Sequence, residues 1–254
     1  FSKNNNQWRA RPIPEGAAEQ FQQRLQELNV THPLIHASYL INLGSPDEGQ
    51  WQRSVEALVI EIQRADELGI PFVVVHPGAF TSSDEASGIR QIAQGLDELH
   101  QQTNGVQSRI LLETTAGQGT NLGWQFEQLA AMLDQVQDPD RVGICVDTCH
   151  IHAAGYALSS AEDYEQTWEA FAAVLSFDQI HAFHLNDSKR ELGSRVDRHE
   201  HIGLGEIGLE AFRLLMNDPR FAEIPMYLET PKQDPDGGEE GDQLNLQALR
   251  KLIQ

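Results

Sequence analysis

Short apolar segments alternate with amphipathic helical segments along the whole chain, and this alternation constrains the fold more than any other feature. The apolar segments lack a polar face, as do parallel strands that helices cover on both sides. They predict strands at 33–36, 71–76, 109–113, 142–147, 180–185 and 225–229. Apolar residues at helical spacing predict helices at 14–28, 54–69, 87–102, 126–136, 161–175, 209–217 and 244–253. The pattern predicts an α/β fold, either a (β/α)₈ barrel or a doubly wound sheet.

The length of 254 residues matches a single (β/α) barrel, whose typical size is about 250 residues. No linker rich in Pro, Ser or Gly divides the sequence, and no fixed short repeat runs through it. We therefore expect one domain over residues 1–254. The acidic stretch 234–242 is predicted to be a loop before the last helix.

Nothing in the sequence resembles a transmembrane run or a signal peptide, so we expect no membrane association. Cys145 and Cys149 lie in or beside one predicted strand, too far apart along it for easy bridging. Unbridged thiols suit a reducing compartment such as the bacterial cytoplasm.

Each predicted strand ends on a histidine or a carboxylate. The six residues are His36, His76, Glu113, Asp147, His184 and Glu229. Asp and Glu number 38 and His numbers 10 among 254 residues, so chance would supply only one such end in five. In a (β/α) barrel all carboxyl ends of the strands face the side that carries the active site. The six side chains are therefore expected to converge there.

Three further metal-ligand types lie in the loops on that side: His150, Asp197 and His199. Taken singly, such a residue is more often a hydrogen-bonded cap than a ligand. Together with the strand ends they make five imidazoles and four carboxylates, and so many ionisable groups need partners when buried. The set exceeds the roughly four ligands that one zinc ion takes. Two or three ions match it better, and mixed nitrogen and oxygen donors suit Zn²⁺ or Mn²⁺.

The net charge of −20 argues against general affinity for nucleic acids. A local cationic site remains compatible with it, because three divalent ions would bring about six positive charges against four carboxylates. Metal clusters of this kind catalyse phosphoryl displacement.

Seven segments, in order, resemble the endonuclease IV family, the class II apurinic/apyrimidinic-site endonucleases (AP endonuclease family 2) of base excision repair. They are HASYLINLG (36–44), HPG (76–78), LETTAGQG (112–119), VDTCHIHAAGY (146–156), HLNDSK (184–189), SRVDRHEHIGLGEIG (194–208) and LETP (228–231). FSKNNNQWRA (1–10), which reads as a strand end running into a polar loop, resembles the family's loop after its second strand. The resemblance implies a TIM (β/α)₈ barrel that here lacks its first βα unit and most of the second strand.

The resemblance also implies three zinc ions, with Mn²⁺ as an alternative at one site. In the family's arrangement His36 and His76 hold the first ion. Glu113 bridges it to a second ion, which Asp147, His184 and Glu229 complete. His150, Asp197 and His199 hold the third. Glu113 and Glu229 are implied as catalytic residues.

The activity that the resemblance implies is hydrolysis of the phosphodiester 5′ to an abasic site. The products are a 3′-hydroxyl and a 5′-deoxyribose phosphate, and family members also trim blocked 3′ ends. The implied partner is double-stranded DNA that contains abasic sites or blocked 3′ ends, bound by a monomer that flips the abasic nucleotide out of the helix.

Seven residues are candidates for DNA contact by the same resemblance: Trp8, Arg9, Tyr39, Leu40, Lys189, Arg195 and Arg198. Tyr39 and Leu40 would insert at the lesion, as apolar residues do at kinked steps. The cations would hold flanking phosphates. From the residues alone, Tyr39 and Leu40 packing beneath their loop and the cations being solvated remain open alternatives.

Two other functions fit parts of the pattern. A sugar isomerase or epimerase of the related barrel superfamily also places Glu, Asp and His at strand ends, but it uses one or two metals. Such an enzyme would not need His150, Asp197 and His199, so these three residues separate the two hypotheses. The other reading is an inactive, truncated remnant that binds DNA or metal.

Overall fold

The computed structural model describes residues 1–233, 235 and 240–254, so most of the predicted acidic loop 234–242 lies outside the described residues. Residue contacts divide the chain into two compact units. Unit 1 comprises Phe1–Glu113 and Ala131–Gly143, and unit 2 comprises Thr114–Ala130 and Ile144–Gln254. Each unit is described by itself, and the expectation of one domain stays a prediction.

Unit 1 contains three parallel strands that occur in chain order, β1 (Leu34–His36), β2 (Phe72–Val75) and β3 (Arg109–Glu113). Its helices are α1 (Ala17–Glu27), α2 (Glu48–Glu67) and α3 (Glu85–Gln102). Leu34 pairs with Phe72, and Phe72 pairs with Arg109. This register puts the carboxyl ends of the three strands at one edge.

Side-chain capping decides where α2 and α3 of unit 1 begin. The side chain of Asp47 accepts a hydrogen bond from the Gln50 backbone at 2.7 Å, and Asp84 does the same for Ser87 at 2.9 Å. These bonds satisfy backbone donors that a helix end leaves unpaired. The predicted start of α2 at residue 54 was therefore wrong, because the Asp47 cap begins the helix at Glu48.

Unit 2 contains a parallel set formed by β4 (Val142–Asp147), β5 (Ile180–His184) and β8 (Met226–Tyr227). Two short antiparallel strands, β6 (Asp187–Ser188) and β7 (His199–Glu200), lie between β5 and β8 in the sequence. The helices of this part of the chain are α4 (Phe126–Leu133), α5 (Thr148–Ala154), α6 (Ala161–Ala172), α7 (Leu209–Met216) and α8 (Gly241–Arg250), and α4 and β4 cross the division between the units. Asp147 pairs with His184, which in turn pairs with Tyr227.

An aromatic core supports the strand ends of unit 2. The fully buried rings of Trp168 and Phe221 lie 4.6 Å apart, and Phe183 of β5 contacts both. Offset aromatic pairs of this kind add to the stabilisation that burial itself provides. The packing of Phe183 against these two rings therefore holds the strand that ends on His184 in place.

All six predicted parallel strands are present, with shorter bounds at several ends. Besides the start of α2, three details of the prediction were wrong. Residues 1–10 contain no strand. The segment after β4, read as a loop, forms α5, since Asp147 caps that helix by accepting from the His150 backbone at 2.8 Å. The loop after β5 contains the β6–β7 pair. Strands of two residues are too short to produce a recognisable sequence pattern.

The two cysteines are buried and not bridged, as expected. Within the part of the chain that the structure describes, no helix combines the length and apolar character needed to cross a bilayer.

Candidate metal centres

The first cluster lies in unit 1 and is called the histidine–glutamate centre (His36, His76 and Glu113). His36 and Glu113 are the last residues of β1 and β3, and His76 follows β2 directly. Oε2 of the fully buried Glu113 lies 3.0 Å from Nε2 of His36 and 3.1 Å from Nε2 of His76. Strand register thus brings together three side chains that are far apart in the sequence.

Backbone contacts orient this centre. Nδ1 of His36 donates to the carbonyl oxygen of Ala37 at 2.7 Å, which leaves the lone pair on Nε2. The turn after His76 is held by Asn42, whose Oδ1 accepts from the Ala79 backbone at 2.8 Å. Gly78 has a φ of 124°, and a Cβ there would collide with the Asn42 side chain. The HPG segment therefore requires its glycine for this close approach.

The second cluster lies in unit 2 and is called the aspartate centre (His150, Asp197 and His199). Nε2 of His150 lies 3.3 Å from Oδ2 of Asp197, and Nε2 of His199 lies 3.2 Å from Oδ1. His150 is carried by the first turns of α5, and His199 begins β7. Asp197 comes from the loop between β6 and β7.

The two histidines of the aspartate centre are also oriented by backbone carbonyl groups. Nδ1 of His150 donates to the carbonyl oxygen of Thr114 at 2.8 Å, and Nδ1 of His199 donates to that of Glu229 at 3.2 Å. Each ring therefore presents Nε2 to Asp197, as a metal-binding histidine does when its other nitrogen is occupied.

The electrostatics of the aspartate centre are strongly coupled. Burial raises the pKa of Asp197, but hydrogen bonds from His150 and His199 outweigh it and hold the pKa well below its usual range. Burial lowers the pKa of His199, but the charge of Asp147 and the hydrogen bond to Asp197 outweigh it and raise the pKa to about 9. The carboxylates of Asp197 and of the neighbouring Asp147 thus favour positive charge at this centre.

The third cluster, also in unit 2, is called the strand-end centre (Asp147, His184 and Glu229). Each residue offers one ligand atom, and these atoms lie within 4.8 Å of one another. Nδ1 of His184 lies 3.2 Å from Oε2 of Glu229. Asp147 and His184 end β4 and β5, and Glu229 follows β8 closely.

Asn186 links the members of the strand-end centre, and the sequence analysis assigned it no role. Its Nδ2 donates to Oδ2 of Asp147 at 2.6 Å, and its Oδ1 accepts from the Glu229 backbone at 3.0 Å. Its own backbone N–H donates to the Thr148 hydroxyl at 2.9 Å. A fully buried amide that uses both ends in this way fixes two strand ends at once. Its place two residues after His184 was the available signal.

The donor sets fit divalent metal ions. A tetrahedral zinc ion with bonds of about 2.0–2.1 Å to nitrogen and oxygen separates its ligands by about 3.3 Å. The nitrogen-to-oxygen distances above, from 3.0 to 3.3 Å, match that separation. Imidazole and carboxylate together suit zinc and manganese.

Comparison with known proteins places this geometry in a family. The family described as xylose isomerase-like TIM barrel matches residues 1–252. A curated relative from Chloroflexus aurantiacus, "Probable endonuclease 4", is 46% identical over 254 residues, which is all of this chain and 88% of the relative. The chain belongs to the endonuclease IV family, and its fold class is the TIM barrel.

Solved structures agree with this assignment. The crystal structure of endonuclease IV from Thermus thermophilus matches with a TM-score of 0.85 and 32% identity, over 99% of this chain and 87% of that one. A D-tagatose 3-epimerase-like protein matches with a TM-score of 0.71 over 94% of this chain and 83% of that one. Because its identity is 19%, that second likeness shows the fold alone.

Tyr39 occupies a distinctive place among the residues predicted to contact DNA. Its side chain is 57% exposed, so it does not pack beneath its loop. Its ring lies 5.2 Å from the His36 ring and 6.3 Å from the His76 ring. Phe1, also exposed, lies 5.4 Å from Tyr39. The neighbouring Leu40 is half-buried.

The predicted cations of unit 2 have contacts of their own. The guanidinium of Arg195 stacks on Trp124 at 3.7 Å, Arg198 donates to the Asp197 carbonyl at 2.6 Å, and the Lys189 ammonium lies 3.9 Å from Glu200. In unit 1, Arg9 is exposed and Trp8 is half-buried with Arg53 at 5.7 Å from its ring. Their roles in DNA binding stay predictions.

Proposed function

We propose that the protein is a zinc-dependent DNA repair endonuclease that hydrolyses the phosphodiester 5′ to abasic sites. The products would be a 3′-hydroxyl and a 5′-deoxyribose phosphate, with trimming of blocked 3′ ends as an accompanying activity. Membership in the endonuclease IV family supports the reaction class. The observation that carries the metal chemistry is the set of histidines whose Nδ1 is occupied by a backbone carbonyl while Nε2 faces a carboxylate.

Three zinc ions would be held by the nine ligand residues, with manganese as an alternative at one site. The histidine–glutamate centre would take one ion, the strand-end centre a second and the aspartate centre a third. The sharing of Glu113 between the first two ions rests on the family resemblance. When bound, such ions supply a nucleophile at neutral pH and stabilise the charge on attacking and leaving oxygens.

Residues of the chain would orient the metal ligands, place charge beside the phosphate and recognise the lesion. Asn186 and the backbone carbonyl groups keep the ligand side chains in one orientation, so little reorganisation accompanies the reaction. Glu113 and Glu229 would hold charge beside the reacting phosphate, as catalytic carboxylates. Tyr39 would occupy the space that a missing base leaves in the duplex.

The acidity of the chain requires a local source of attraction for DNA. In residues 1–14, Arg9 and Arg11 are exposed and no side chain is acidic, whereas the buried ammonium of Lys3 lies 3.3 Å from Glu61, in a chain of net charge −20. The metal ions and this segment would together attract phosphate groups, while the remaining surface repels non-specific DNA.

A sugar epimerase is the competing enzyme because a protein of that type shares the fold. The aspartate centre argues against it, since a reaction that uses one or two metals has no need of a third ligand set. The same protein preparation would be assayed for incision of DNA containing an abasic site and for epimerisation of a panel of ketoses.

The test is incision of a duplex with one synthetic abasic site, after stringent chelation and again after zinc is restored. Zinc-dependent cleavage 5′ to the lesion, with no cleavage of the undamaged duplex and no epimerisation, is the expected result. Protein that carries three zinc ions and cleaves no abasic duplex would overturn the proposal. A matched control is Asp178→Asn, an exposed acid away from the three centres, which should cleave at the wild-type rate.

A further inference from the structure

Asp187 is a fully buried carboxylate, and among the described residues the hydrogen-bond partners of its side chain are all backbone N–H groups. Its Oδ1 accepts from the N–H groups of Ser188 at 2.7 Å and Ile207 at 2.9 Å. Its Oδ2 accepts from Gly203 at 2.9 Å, Gly205 at 3.1 Å and Gly208 at 3.3 Å. Successive N–H groups that converge in this way form an anion-binding concavity, and here the anion belongs to the chain itself.

This arrangement closes the base of one loop. Asp187 begins the segment that leads to Asp197 and His199, and residues 203–208 follow it. Glu206 also donates its backbone N–H to the Ser188 carbonyl at 2.8 Å. A Cβ on Gly205 would collide with that carbonyl and with the Asp187 side chain, so the two limbs are in direct contact. Joining the limbs reduces the entropy that the connecting segment would otherwise retain.

Asp197 and His199 depend on this closure more than the other proposed ligands do. Asp147 and His184 are held by parallel register, the Glu229 backbone is bound by Asn186, and His150 is held by a capped helix. By contrast, the segment with Asp197 and His199 is tied to Asp187 and Ser188 by a ladder of two residue pairs. The Asp197 side chain is 41% exposed, so packing alone does not fix it.

We propose that Asp187 is a positioning residue that sets the affinity of the aspartate centre for its metal ion. The inference rests on the proposed function, because it presumes a third metal ion at His150, Asp197 and His199. Asp187 lies outside that ligand set and acts through the backbone of the loop. Its loss would leave the other two centres unchanged.

The test compares wild type with Asp187→Asn. An amide has one acceptor oxygen, so at least two of the five N–H groups would lose their partner. Zinc content after dialysis and competition with a chromophoric chelator measure the result. Wild type should hold three ions, and Asp187→Asn should hold two tightly, with the dissociation constant of the third raised about ten- to hundredfold.

A milder variant keeps the test decisive if Asp187→Asn does not fold. Gly208 has a φ of 77° and a ψ of 165°, a conformation that is essentially confined to glycine, and a Cβ there meets nothing within 4 Å. Gly208→Ala should therefore displace one N–H from the carboxylate and lower the affinity for the third ion several-fold. Unchanged affinity in Gly208→Ala, or in folded Asp187→Asn, would overturn the inference.

Asp218→Asn is the matched control. Asp218 is also a buried carboxylate of unit 2, and it accepts from Tyr164 at 2.8 Å and from Arg220. Its substitution should lower the melting temperature and leave three zinc ions bound. Loss of the third ion in this control would overturn the inference, since general destabilisation would then explain the effect. A wild type that binds fewer than three ions would instead count against the proposed function.

Hydrogen exchange of the metal-free protein provides a readout that needs no activity. The amides of Gly203, Gly205 and Ile207 should exchange slowly in wild type and fast in Asp187→Asn. Equal exchange in the two proteins would overturn the inference.

Discussion

The guanidinium carbon of Arg195 lies 3.7 Å from the centre of the Trp124 ring. Arg195 is also one of three non-glycine residues with positive φ among the described residues, at 54°. Its backbone N–H donates to the Ala153 carbonyl at 2.9 Å, which keeps the residue in this unfavourable conformation. Two independent contacts therefore hold the cation on the face of the tryptophan.

We predict that Trp124→Ala raises KM for an abasic duplex about two- to fivefold and leaves kcat unchanged. The reason is that the cation–π contact, about 0.5–1 kcal/mol at an exposed site, orders the guanidinium before DNA binds. Steady-state kinetics measure the two parameters separately. Trp124→Phe, which keeps an aromatic face, should stay close to wild type. A fall in kcat with unchanged KM would contradict a role in binding.

A second prediction concerns the charge itself. Arg195→Gly should lower DNA affinity and reduce the slope of log K against log salt by about 0.9, as loss of one phosphate contact does. Glycine accepts a φ of 54° without strain, so the free energy of unfolding should not fall. Arg213→Ala on α7 removes an exposed cation that pairs with Glu210, and its slope should match wild type.

Tyr39 gives a prediction about lesion recognition. Tyr39→Ala should weaken binding to abasic DNA and leave the salt slope unchanged, since the side chain carries no charge. Because the residue is 57% exposed, unfolding free energy should change by no more than about 0.5 kcal/mol. Leu28→Ala, at an exposed position in unit 1, is the control. Wild-type discrimination between abasic and intact duplex in Tyr39→Ala would contradict the prediction.

Removal of a ligand from the aspartate centre should be severe. Asp197→Asn keeps the size of the side chain but removes the charge that both histidines face, at 3.2 and 3.3 Å. We expect one zinc ion fewer and incision reduced by at least about a hundredfold, because ligand loss exceeds the usual effect of outer partners. Full incision activity with two bound ions would contradict the assignment of the third site.

His100 makes stability depend on pH. Within the part of the chain that the structure describes, neither nitrogen of its buried ring has a hydrogen-bond partner. Burial, with the charge of Arg141, lowers its pKa from 6.5 to about 4. Between pH 6.5 and pH 4, His100 is protonated in the unfolded chain but stays neutral in the folded chain. The free energy of unfolding therefore falls as pH drops through this range.

His100→Leu should remove this contribution. As pH falls from about 7 to about 4.5, the free energy of unfolding of the variant, measured with denaturant, should rise relative to that of wild type. The rise should be at most about 1 kcal/mol per pH unit, since partial hydration of the ring weakens the effect. Leu28→Ala, at an exposed position without a titratable group, should show no such trend. A constant difference between His100→Leu and wild type across this range would contradict the prediction.

The sequence predicts the strand ends well because two periodic signals coincide there. The apolar pattern of a strand ends where the strand leaves the core, and a histidine or an acid is tolerated at that position. His36, Glu113, Asp147 and His184 are each the last residue of a strand, as expected. Within each unit, parallel register then leaves little freedom in where these strand ends lie relative to one another.

The supports of the centres could not be predicted in the same way. The carbonyl groups of Ala37, Thr114 and Glu229 accept from histidines because of backbone geometry, and carbonyl groups carry no sequence signal. From the sequence, Asp187 was visible only as an acid at the end of a predicted strand. Its partners are N–H groups of residues up to 21 positions away, which no local pattern reveals.

The backbone bonds of His36, His150 and His199 have a consequence for how the protein tolerates change. Since main-chain oxygens select the protonated nitrogen, substitution of a neighbouring side chain cannot exchange the two tautomers. Only a displacement of the chain itself would do so. The immediate surroundings of these imidazoles can therefore drift over many generations, in shape and polarity, while the rings keep offering the same lone pair.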